Sequence, residues 1–213
     1  MARVLVVASM DSPPTVPTYL AATEAEGVLA EGGHEVDRLY VWAATRPFFE
    51  WRGLSSGPYD GVFYFGHGLE DALVGQLPLG LWLLMCDLAN AHLLRGSVVV
   101  TVACLSGLEL GPTVVGLGAR AYTGSRHYMY VGFPMEEHDY SRDFMDTWLE
   151  LVRVLAEGST IGDAYEAYLS KCDYYVGLYA GMLDSWPNAD AFLAFMRFNR
   201  DYYSLYGDPR ARL

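Results

Sequence analysis

Three cysteines in 213 residues are too few, and too widely spaced, for a disulfide framework. Their odd number points to a reduced, cytoplasmic setting. Long hydrophobic runs are also missing, so no window is apolar enough to span a bilayer. The opening residues 1–8 carry one charge and then only a strand-length apolar run, shorter than a secretory leader requires. Basic clusters are absent as well. Fourteen Lys and Arg face 26 Asp and Glu, for a formal charge of −12. Nucleic acid needs a basic footprint to offset its phosphates, so neither it nor a membrane is an expected partner. There is no internal repeat, low-complexity tract or linker.

What is present can fill a core. Apolar residues make up 52% of the chain, enough for one domain without disulfides. Sixteen tyrosines and five tryptophans suit that core and a half-buried surface. The chain is organised around residues 59–107. Tyr59-Asp60-Gly61-Val62-Phe63-Tyr64-Phe65-Gly66-His67-Gly68 is followed by a spacer and then Ser97-Val98-Val99-Val100-Thr101-Val102-Ala103-Cys104-Leu105-Ser106-Gly107. Each half is a β-branched and aromatic run closed by glycine, as in a strand buried on both faces of a parallel sheet. Each delivers one reactive side chain just past its end, His67 and Cys104. Adjacent parallel strands lie about 4.8 Å apart, so the two residues would meet outside the carboxyl edge, where open α/β sheets bind ligands. A thiol beside an imidazole is a nucleophile with its base. The spacer, with Leu79, Leu81, Leu83, Leu84, Leu88 and Leu93, reads as the crossover helix that parallel neighbours need.

Elsewhere the pattern alternates strand and helix. Arg3 to Ala8 reads as a central strand, and Ser9 to Pro14 as the turn leaving it. A helix follows from Thr15 or Thr18 to Ala30, stopped by Gly32-Gly33. His34 to Val41 suits a strand nearer an edge. After Cys104 come a short glycine-rich helix (110–117), a strand (119–124) and an aromatic loop (125–138) at the cleft. A helix runs from Asp139 to Glu157, and Thr160 with Asp163 forms a capping pair for the next. Leu205-Tyr206-Gly207-Asp208-Pro209 has the chemistry of a turn. Small residues at Ser106 and Gly107 leave room for a close substrate. Cys86 and Cys172 read as inert thiols.

A hydrophobic block ending in His-Gly, then a second ending in Val-Ala-Cys, resembles the caspase-like cysteine peptidases (clan CD), in motif style the gingipain-like family. The helix start over residues 158–164 and the Tyr-Gly-Asp-Pro close are similar too. The resemblance implies a single caspase/gingipain-like peptidase domain over residues 1–213. Its fold would be α/β, a doubly wound, mostly parallel sheet with helices on both faces. It implies a cysteine endopeptidase with a His67–Cys104 dyad, a thioester intermediate and an oxyanion held by the amides of Gly68 and Cys104. Asp11, leaving the first strand at the same edge, would select Arg or Lys before the cut. Glu70 or Asp71 could orient His67. A peptide or protein is the expected partner, with no cofactor and no metal. Where metacaspases carry a second acid two residues before the cysteine, this chain has Val102. The alternative is a weak or inactive caspase-like scaffold that binds protein partners. Ala103 to Gly107 also resembles the nucleophile turn of class I glutamine amidotransferases. However, His127-Tyr128-Met129 and His138-Asp139-Tyr140 both lack their His-x-Glu. A flavodoxin-like binder is disfavoured because the loop after the first strand has no glycine to cradle a phosphate.

Overall fold

In the computed structural model, which describes residues 1–76 and 82–213, the apolar runs become strands of one mostly parallel sheet. The elements are β1 (Arg3–Ala8), α1 (Thr15–Glu31), β2 (Glu35–Tyr40), α2 (Arg46–Ser55), β3 (Gly61–Phe65), β4 (Ala72–Gln76), β5 (Trp82–Asp87) and β6 (Val98–Val102). Then follow α3 (Leu110–Gly116), β7 (Ala121–Ser125), α4 (Tyr140–Ala156), α5 (Ile161–Gly181), α6 (Ala189–Tyr202) and β8 (Tyr203–Gly207). The sheet order is β2-β1-β3-β6-β7-β8, with only β8 antiparallel to its neighbour.

The unbroken apolar runs of β1, β3 and β6 are explained by burial on both faces. Val4, Val6, Phe63, Phe65, Val100 and Val102 pack under α1, α4 and α5. Leu5, Val7, Val62, Tyr64 and Val99 face the opposite core, with Phe49 of α2, Val114 of α3 and Met85 of β5. Helices on both faces make the fold doubly wound, as expected. β2 is an edge strand, as its sequence suggested, and only its Leu39 is fully buried. Thr160 and Asp163 cap α5 reciprocally, side chain to backbone in both directions.

Two expectations need correction. The spacer between β3 and β6 is not a crossover helix. It is the antiparallel hairpin β4–β5 followed by a single 3-10 turn at Ala91–Leu94. Leu73, Met85 and Cys86 bury themselves against the core shared with α2 and α3, while Leu83 and Leu88 stay exposed. Leu79 and Leu81 lie outside the described residues. Of Leu205-Tyr206-Gly207-Asp208-Pro209, the first three residues belong to the edge strand β8, paired with β7 along its length, and the turn comes only after them, closed by Ala211 N–H on the Asp208 carbonyl at 3.0 Å.

The loop leaving β3 is tied down by a fully buried tyrosine. The Tyr64 hydroxyl lies 2.7 Å from the His67 carbonyl and 2.6 Å from that of Val74, so it bridges the loop to the hairpin. Tyr64→Phe leaves both carbonyls without this donor and should cost about 1–3 kcal/mol. The measurement is the urea midpoint, expected to fall at constant slope. An unchanged midpoint would mean the hydroxyl does not hold the loop.

Candidate active site

The register of the central strands fixes the site. Ala8 of β1 is level with Phe65 of β3, and Phe65 with Val102 of β6. His67 and Cys104 each stand two residues beyond that line, so they leave adjacent strands at the same height. The ladder also runs one step past the strands, with Ser9 N–H on the Phe65 carbonyl at 3.2 Å and Gly66 N–H on that of Val102 at 3.1 Å.

Glycines flank His67 because the loop is squeezed from both sides. A Cβ at Gly66 would come within 2.5 Å of Ser9 Oγ. One at Gly68 would collide with the Cys104 carbonyl and lie 2.9 Å from Ala103 Cβ. The missing side chains let the His67 backbone sit directly against the end of β6.

The loop after β1 supplies partners for the imidazole. Ser12 Oγ lies 2.8 Å from His67 Nε2, and an Asp11 carboxylate oxygen lies 3.5 Å from the same nitrogen. Only 6% of the Asp11 side chain is exposed, and its carboxylate also accepts from the Thr15 hydroxyl at 3.2 Å. Both contacts fall on Nε2, and the imidazole tautomer decides whether Ser12 Oγ donates or accepts there. The Asp11 carboxylate thus lies between His67 and Thr15, with little of it exposed. The partners at Nε2 are thus Ser12 and Asp11. Glu70 is exposed, and its main-chain carbonyl instead accepts from Glu109 and Leu110 N–H at the start of α3. Sequence analysis missed Ser12, although it adjoins Asp11 in the same tight loop.

Cys104 is half-buried. Burial pushes its thiol upward, against a 3.3 Å hydrogen bond from Met129 N–H and the pull of its own backbone amide. Leu105, the next residue, has φ +58°, a left-handed conformation that costs a non-glycine residue about 1–2 kcal/mol. It is held there by its N–H on the His127 carbonyl at 2.9 Å. Such local strain often marks functional turns. His67 and Cys104 both line one cavity of about 30 Å³, lined also by Thr15 and Thr18 of α1, by Met129 and Val131, and by Trp148. Trp148 is 2% exposed, and its indole N–H has no hydrogen-bond partner among the described residues.

Other anticipated roles fall away on packing grounds. Ser106 is fully buried, its hydroxyl 2.8 Å from that of Thr101, and Gly107 packs on the Gly124 carbonyl. Their small size serves the core, not substrate approach. His127 meets Phe198 edge-on and Tyr202 at a tilt, and His138 pairs with Asp143 at 2.6 Å while stacked on Trp186.

The three thiols differ enough to be told apart. Cys86 and Cys172 are fully buried and their thiols are pushed up to about 12. Iodoacetamide followed by peptide mapping should label Cys104 first. Because the Cys104 thiol is also raised, its rate should keep climbing with pH beyond the ordinary thiol range instead of reaching an early plateau. Equal labelling of the three, or a plateau below pH 7, would contradict this electrostatic reading.

No family model matches the chain, and no curated protein does. Among solved structures, a Streptococcus pneumonia TIGR4 flavodoxin is similar at 20% identity and a TM-score of 0.33. The match covers 55% of this chain and 77% of the flavodoxin. A likeness that slight carries no functional argument.

Proposed function

We propose that the chain is a cysteine endopeptidase that cuts peptide bonds through a thioester at Cys104. The observation that carries this reading is the delivery of His67 and Cys104, from adjacent parallel strands, to the same cavity at the carboxyl edge. His67 takes the thiol proton as the sulfur attacks the carbonyl carbon. It then returns that proton to the leaving amine, and water hydrolyses the thioester. The amides of Gly68 and Cys104 hold the oxyanion. Asp11 and Ser12 hold the imidazole in orientation through Nε2. A raised thiol makes the resting nucleophile neutral, so proton removal belongs to the attack itself.

Selection of Arg or Lys would need a carboxylate other than Asp11, whose charge is committed inside the fold. The competing reading, a weak caspase-like scaffold that binds protein partners, draws on the small cavity and the raised thiol.

Peptide-library turnover tests the proposal. Cys104→Ala should abolish cleavage, and His67→Ala should reduce it by about 10²–10⁴-fold with the fold intact. Asp11→Asn should lower kcat across all substrates with little change in KM. If Asp11→Asn raises KM for Arg and Lys peptides alone, Asp11 is a selector after all. Cleavage undiminished in Cys104→Ala would end the peptidase reading.

A further inference from the structure

The wall of the cavity that covers Cys104 is an extended segment, residues 126–133, with no strand pairing of its own. Met129 and Val131 point into the cavity, and Met129 N–H reaches the thiol. Something must hold such a segment in place. Much of its support comes from α6, which the sequence analysis did not assign. Arg126 N–H donates to the Tyr202 carbonyl at 2.8 Å. The Tyr130 ring stacks on Phe195 at 4.3 Å and 10°. Between these lies Asn199, 2% exposed. Its Oδ1 accepts from Tyr130 N–H at 2.8 Å, and its Nδ2 donates to the Tyr130 carbonyl at 2.7 Å. One side-chain amide thus supplies both bonds that a neighbouring strand would give.

We propose that Asn199 is a positioning residue that clamps the segment over Cys104 and so controls access to the thiol. The clamp acts through Tyr130, one residue from the amide that touches sulfur and from both sides of the Met129–Val131 wall. A buried polar side chain with both ends satisfied by one residue's backbone is costly to misplace and specifies a single arrangement. Releasing it favours a displaced segment, in which Cys104 opens to solvent. Two hydrogen bonds of ordinary net strength correspond to about ten- to a hundredfold in the closed-to-open ratio. This inference concerns the nucleophile of the proposed peptidase, but its test needs no turnover.

The experiment compares alkylation of Cys104, Cys86 and Cys172 in the full chain, using iodoacetamide and a bulkier maleimide. Asn199→Leu keeps the branched shape at a larger volume and removes both bonds. It should speed labelling at Cys104 about tenfold or more, with the larger gain for the bulkier reagent. Cys86 and Cys172, buried in the two cores, should stay slow. Asn199→Asp keeps the acceptor for Tyr130 N–H and loses the donor to its carbonyl, so it should give a smaller gain of the same selectivity. Unchanged Cys104 labelling in both variants overturns the proposal. So does acceleration of all three thiols together in both, because Asn199 would then be merely structural. Loss of peptide cleavage in Cys104→Ala tests the enzymatic reading separately and is unaffected by either result.

Discussion

Parallel pairing of β3 with β6 is the constraint on which the rest depends. Phe65 opposite Val102 puts the two following turns level, and His67 and Cys104 each sit two residues beyond that pair. A shift of one residue would turn every side chain of β6 to the other face. Val98, Val100 and Val102 would leave the core under α1 and α4, and Cys104 would leave the level of His67. Burial on both faces makes that shift prohibitively expensive. The chemistry of the edge is therefore fixed by the packing of the sheet.

The order of strands adds a second constraint. β1 lies between β2 and β3, and the chain leaves β1 for α1 on one face but leaves β3 for β4–β5 on the other. The loops after β1 and β3 consequently part at the carboxyl edge and frame a crevice. Asp11 and Ser12 enter it from one side, His67 from the other. Gly66 and Gly68 allow the close approach, and Tyr64 anchors the loop from below. The imidazole is thus oriented by a neighbouring loop and the thiol by the segment after β7.

The central strands were legible because β-branched runs closed by glycine have few other solutions. The caps of α5 were legible for a similar reason, since Thr160 and Asp163 carry their own local chemistry. The hairpin β4–β5 was not. Its leucine-rich sequence has the composition of a helix, and only the core waiting for Leu73, Met85 and Cys86 selects strands. Asp11 was placed at the right edge, but its direction depends on Thr15 and His67, which are 4 and 56 residues away. Met129 and Asn199 left no sequence signal, because their roles arise from contacts 25 and 69 residues apart along the chain.

The central claim is that His67 activates Cys104 toward a peptide carbonyl. Its most direct test is covalent capture by a set of peptidyl acyloxymethyl ketones, which need both a bound peptide and an activated thiol, read by intact mass and peptide mapping. A single adduct on Cys104 in the wild type, dependent on the peptide portion and largely lost in His67→Ala, is the predicted result. An adduct formed equally well without His67, or none on Cys104 with any peptide, would contradict it.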